Sequence, residues 1–206
     1  MKYLLQISVG PVQDFISAAR RTRDLWFGSY MLSEIAKAVA KSVKDNGGTL
    51  IFPAPEKPED LNPDSDLSVA NVILAEFEDS DGAKLKAISD KAFEAAKSHL
   101  KIYADKVYNI MENYIVKDRW NSQLKDIIEF YSAWIPVEDG DYRSARRNVA
   151  RLLAARKNIR DFNANNCKDY VPKSSLDGLR ESVLIRNESN ETLSQLPPGV
   201  SIKPNE

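Results

Sequence analysis

Between positions 143 and 160 the sequence carries Arg143, Arg146, Arg147, Arg151, Arg156, Lys157 and Arg160, with no aspartate or glutamate among them. A solvated surface normally mixes signs, so such a run favours a polyanion such as an RNA backbone, or an acidic partner surface. A merely solvated helix face is the alternative. At 100° per residue, all but Arg156 spread over an arc opposite an apolar stripe running from Leu152 to Ile159. A second basic knot, Arg20, Arg21 and Arg23, has only Asp24 as a local acid. Its surplus charge suits phosphate or an acidic neighbour, while an intramolecular Arg–Asp pair is the plainer reading. Ser29 and Ser33 stand four residues apart, which places both hydroxyls on one helix face beside Gly28. Capping and surface polarity account for that spacing as well as a ligand does. Asp14 falls in a first helical turn, where interaction with the helix N-terminus explains a carboxylate better than metal binding.

Other chemistry is limited by what the chain contains. Cys167 and His99 are the only residues of their types, so neither an intrachain disulfide nor a zinc knuckle can be made within this sequence. No metal site is expected. A formal net charge of −1 excludes a globally basic strategy for nucleic acid and leaves local patches to do that work. With 43% hydrophobic and 29% charged residues, the 206-residue chain has the composition of a globular protein rather than a disordered one. The opening MKYLLQISVG alternates polar and apolar residues as a strand does, and no stretch approaches the roughly 18 apolar residues of a membrane span. A soluble, cytoplasmic protein without membrane contact is expected.

The elements that position these residues follow from periodicity. Residues 3–9 read as a strand ended by Gly10-Pro11. A helix follows from Val12, interrupted at Gly28 and resumed through Val43, until Asn46-Gly47-Gly48 stops it. Residues 49–53 and 70–77 read as strands separated by a proline-rich acidic loop. The apolar spacing from 82 to 117 predicts one long amphipathic helix, and 127–137 a further strand. The order βαββαβ is that of a ferredoxin-like palm, an α+β domain with an antiparallel sheet and two helices on one face. A basic helix over 142–162 then extends it. The expected division is a palm domain over 1–138 and a helical extension over 139–206, truncated before a second palm.

The segment GPVQDFISAARRTRDLWFGSYMLSE, residues 10–34, resembles the opening of the first palm domain in the large polymerase/cyclase-like subunit of type III CRISPR effector complexes, especially the Cmr-type branch. RSARRNVARLLAARKNIRDF followed by PKSSLDGLRESVL, residues 143–184, resembles that family's later helix and the segment after it. Departures accompany the likeness. Met1 opens directly on the palm strand with no HD nuclease motif. Ser174, Ser175, Asp177 and Gly178 stand where many members carry zinc ligands. No GGDD is present, since Gly47-Gly48 leads into Thr49.

The resemblance implies a part of an RNA-guided antiviral complex whose cyclic oligoadenylate synthesis takes place on a second palm. ATP would lie in a composite pocket between the palms, with Mg²⁺ or Mn²⁺ held by that second palm. Active palms place a carboxylate at the end of the first strand, where this chain has Gly10-Pro11. The expected role is therefore assistance, with no catalytic residue of its own. Gly10 allows close backbone approach, and Gln13, Ser29 and Ser33 offer hydrogen bonds to nucleotide. Arg20, Arg21, Arg23, Arg143, Arg146, Arg147, Arg151, Lys157 and Arg160 would meet crRNA, target RNA or neighbouring subunits of the complex. The alternative is a free-standing RNA-binding module that uses the basic helix alone.

Overall fold

A computed structural model describes residues 1–78, 80–138, 140–159, 172–174, 178 and 180–185. Its centre is β1 (Tyr3–Gly10), which pairs antiparallel with β3 (Val72–Phe77) on one side and β4 (Glu129–Pro136) on the other. β2 (Thr49–Phe52) pairs antiparallel with β3 and completes a sheet of order β2-β3-β1-β4. This is the ferredoxin-like arrangement expected from the βαββαβ order.

Strand alternation divides the core in two. Leu5, Ile7 and Val9 of β1 join Ile73, Ala75 and Phe77 of β3 beneath α2 (Thr22–Asp45) and α3 (Gly82–Met111). Leu4, Leu74 and Ala133 point the other way and meet Ala145, Val149 and Leu153 of α5 (Tyr142–Asn158). Helix α5 thus packs on the back of the sheet, against β4 and β1. Each such Val or Leu buried contributes about 1.5–3 kcal/mol, enough to seat the helix firmly.

Three local readings change. The helical interruption lies at Ala19–Arg21, between α1 (Val12–Ala18) and α2, whereas Gly28 is buried inside α2. A Cβ on Gly28 would stand 3.4 Å from the Phe15 Cβ. The glycine serves close packing of α1 on α2 rather than a break. The restart at Thr22 is marked instead by the Arg21 backbone N–H, which donates to Asp24 Oδ2 at 3.0 Å.

The long helix ends at Met111 rather than near 117. After a 3-10 turn over Glu112–Tyr114, Ile115 pairs with Leu184, and the Val116 N–H donates to the Val183 carbonyl at 2.8 Å. That long-range pairing overrides helical periodicity, and the chain restarts as α4 (Lys117–Lys125), a helix absent from the sequence reading.

In α5 the buried stripe is Ala145, Val149 and Leu153, while Leu152 and Ile159 are 47% and 65% exposed. The sequence reading set its apolar stripe one position out of phase, because Leu152 and Leu153 are adjacent and periodicity alone cannot rank them. The α2 stop falls where expected. Gly47 takes φ +91°, and a Cβ on Gly48 would lie 2.7 Å from Phe77 Cζ and 2.9 Å from the Val43 carbonyl oxygen.

Candidate functional site

β1 ends in a cleft of about 500 Å³ between the start of α1, Asn71 before β3, the first residues of β4 and the end of α5. Sheet register sets Glu129 directly across from Gly10, and a Cβ on Gly10 would stand 3.2 Å from Glu129 Oε2. Only glycine leaves that space open without displacing the carboxylate. Gln13 and Asp14 line one wall, and Lys157 reaches in from α5, its Nζ donating to the buried Ser8 Oγ at 3.1 Å. Lys157 thus stands at the lip of the Gly10 cleft, apart from the arginines with which the sequence reading grouped it.

Ser29 and Ser33 line a neighbouring concavity of about 320 Å³ between α1, α2 and residues 69–71. Val12 and Asn71 belong to both spaces. A third, of about 350 Å³, shares Ser29, Ser33, Val69 and Ala70 and ends at Trp26 and Tyr30. Through these shared residues the three spaces adjoin one another along the segment that leads into β3, as a groove. All four nucleotide candidates, Gly10, Gln13, Ser29 and Ser33, lie on it. Ser33 also has a structural task, because its Oγ accepts the Val69 N–H at 2.8 Å and so fastens the groove wall to α2.

Behind that wall lies a polar cluster the sequence reading missed. Glu34 and Lys37, with side chains 1% and 3% exposed, pair at 2.6 Å inside the helical layer. Glu34 Oε2 accepts the Asp64 N–H at 2.9 Å, and Lys37 Nζ donates to the Ser65 carbonyl at 2.8 Å. The Tyr30 hydroxyl donates to Asp64 Oδ1. Together these bonds replace the water that two buried charges lose. His99 Nε2 is 4.0 Å from Glu34 Oε2 and has no hydrogen-bond partner among the described residues. Burial pushes the His99 pKa down, outweighing the opposite pull of Glu34. The signal was present in the sequence: two charges at i and i+3 in the middle of the apolar run from Leu32 to Val43.

The cations fall into two groups. Arg20, Arg21 and Arg23 are exposed at the bend between α1 and α2. Asp24 is already engaged by the Arg21 backbone, with Arg23 Nε 3.7 Å away. On α5, Arg143, Arg147 and Arg151 repeat every four residues, offset by two from the buried stripe, so they form a row on the face turned away from the sheet. Arg146 flanks that row. These four are exposed, and none has an ion-pair partner among the described residues. Arg156 donates to the Ile159 carbonyl at 2.8 Å, and Arg160 lies outside the described residues. Asp141 caps α5 by accepting the Ser144 N–H at 3.0 Å, and that bond, with Arg147 nearby, holds its carboxyl below the ordinary range.

The match that decides the family covers β1 to β3 and most of the groove. Residues 4–129 fit the family described as CRISPR-associated protein Cmr2, N-terminal. The chain belongs to this Cmr2 N-terminal family. The matched span includes every groove residue up to Glu129, whereas α5 and its arginine row lie beyond it. Among solved structures, one similar chain belongs to the cryo-EM structure of the Type III-B Cmr-beta bound to cognate target RNA. The two share 16% identity with a TM-score of 0.47, over 86% of this chain and 26% of that one. This Cmr2 N-terminal chain therefore spans about a quarter of that chain's length. No curated protein matches the sequence. Among the described residues, no helix is long and apolar enough to cross a membrane.

Proposed function

We propose that this chain is the first palm of the large subunit of a type III CRISPR effector complex. In that role it forms one wall of an ATP pocket for cyclic oligoadenylate synthesis and docks on crRNA and neighbouring subunits. The observation that carries the reading is the coincidence of the Cmr2 match with a groove holding Gly10, Gln13, Ser29 and Ser33. The groove fits a nucleotide in size, and in donors through Gln13, Ser29, Asn71 and Lys157. Asp14 and Glu129 repel a bare phosphate. Charge balance therefore falls to Lys157 and to a divalent ion, Mg²⁺ or Mn²⁺, which this reading assigns to a second palm. When bound, ATP would supply the reacting phosphates, while this chain's residues position them.

The arginine row on α5 supports an RNA contact in the same assembly, since exposed cations with no ion-pair partner among the described residues suit a phosphate backbone. It serves equally a free-standing RNA-binding module. Incubation with ATP and Mg²⁺ or Mn²⁺ separates assistance from catalysis. The chain alone should yield no oligoadenylate, and a GGDD-bearing second palm should restore synthesis, reduced by Gly10→Val. Robust product from the chain alone would overturn the assisting role.

A further inference from the structure

We propose that Trp26, at the opposite end of the groove from Gly10, is a stacking platform for an aromatic nucleobase. The inference deepens the nucleotide reading of the groove and takes its ligand class from it. Tryptophan is seldom left in water, yet Trp26 is 66% exposed. Its ring lies parallel to Tyr30, with centroids 5.4 Å apart and planes within 5°. The supporting ring is held in place. The Tyr30 hydroxyl is bonded to Asp64, which raises its pKa and keeps it a donor, and Tyr103 meets it edge-on at 6.4 Å. A flat ring on a fixed support loses little freedom when a further ring stacks on it.

The surroundings favour a base over an apolar side chain. Ser29, Ser65 and Ser68 line the adjoining space of about 350 Å³, which gives a polar-edged ring hydrogen-bonding groups that an aliphatic side chain would leave unused. Arg23, one helical turn before Trp26, is exposed and offers a cation for an attached phosphate. Base–aromatic stacking tolerates any base, so the ligand could be a free nucleotide or one base of a single strand.

Tryptophan fluorescence of the full chain, titrated separately with ATP and with a short single-stranded RNA, tests the platform. Quenching is expected in at least one arm, with binding weakened about tenfold in Trp26→Ala and largely kept in Trp26→Phe. Quenching by ATP alone identifies a nucleotide subsite, and by the strand alone an RNA contact. Quenching by neither, or unchanged affinity in Trp26→Ala, would overturn the proposal. If equilibrium dialysis finds ATP binding lost in Gly10→Val but intact in Trp26→Ala, the pocket reading stands and the platform fails. Strand binding through Trp26 without any ATP binding would sink the pocket reading and keep the platform.

Discussion

Lys37 and Arg147 are both helical cations, one over each face of the same sheet, and their surroundings are opposite. Lys37 is sealed between Glu34 and the Ser65 carbonyl, whereas Arg147 stands on an outward row with no ion-pair partner among the described residues. Charge placed inside must be matched at once, because desolvation costs more than a lone contact returns. Charge left outside unmatched contributes little to stability and remains available to another molecule. The contrast separates the charges that hold the fold from those left available for binding.

Lys37→Met would press hardest on this contrast, because it strands Glu34 in a buried site. A loss of about 3–5 kcal/mol is expected in denaturant unfolding, against less than about 0.5 kcal/mol for Arg147→Ala. Equal losses would erase the distinction. In the other direction, replacing Arg143, Arg147 and Arg151 together by alanine should leave stability nearly unchanged. The same variant should make the log–log salt slope of single-stranded RNA binding shallower by about two. An unchanged slope would assign the row to a protein partner.

Ser33 stands between the two classes, a site candidate that also fastens the wall. Ser33→Ala removes the acceptor of the Val69 N–H and should cost about 1–2 kcal/mol, read from the same unfolding curves. No loss would return Ser33 wholly to the ligand.

The smallest effect concerns His99. Its pKa is lowered by burial, with Glu34, Asp64, Lys37 and Lys106 as the charges that act on it. Between the lowered native value and the ordinary value of about 6.5, the unfolded chain binds a proton that the native one does not. Stability present above about pH 6.5 is thus lost as pH falls toward the native pKa. Melting temperatures should decline over that interval in the natural chain and less so in His99→Gln.

Much of this was legible in the sequence. Strand alternation, the Gly10-Pro11 stop and the Asn46–Gly48 stop are local signals, and they give the order of elements and hence the sheet. What stayed hidden depends on partners distant in the chain. The bend at Ala19–Arg21 requires Phe15 to lie on Gly28, and α4 exists because Ile115 and Val116 leave the helix to meet Leu184 and Val183. The phase of α5 is settled by Leu4 and Leu74 beneath it. The groove followed the same pattern: Gly10, Gln13, Ser29 and Ser33 were named, but Asn71, Glu129 and the connection from Gly10 to Trp26 appear only once residues 65–71 are laid along α2.

That wall has a consequence in exchange rates. Residues 64–71 contain no helix or strand, yet the Asp64 and Val69 amides are tied to Glu34 and Ser33 side chains. Their protection from deuterium should therefore be set by local opening of the wall rather than by global unfolding. Any molecule that occupies the groove must close that opening, so slowed exchange at Val69 would report occupancy before the occupant itself is identified.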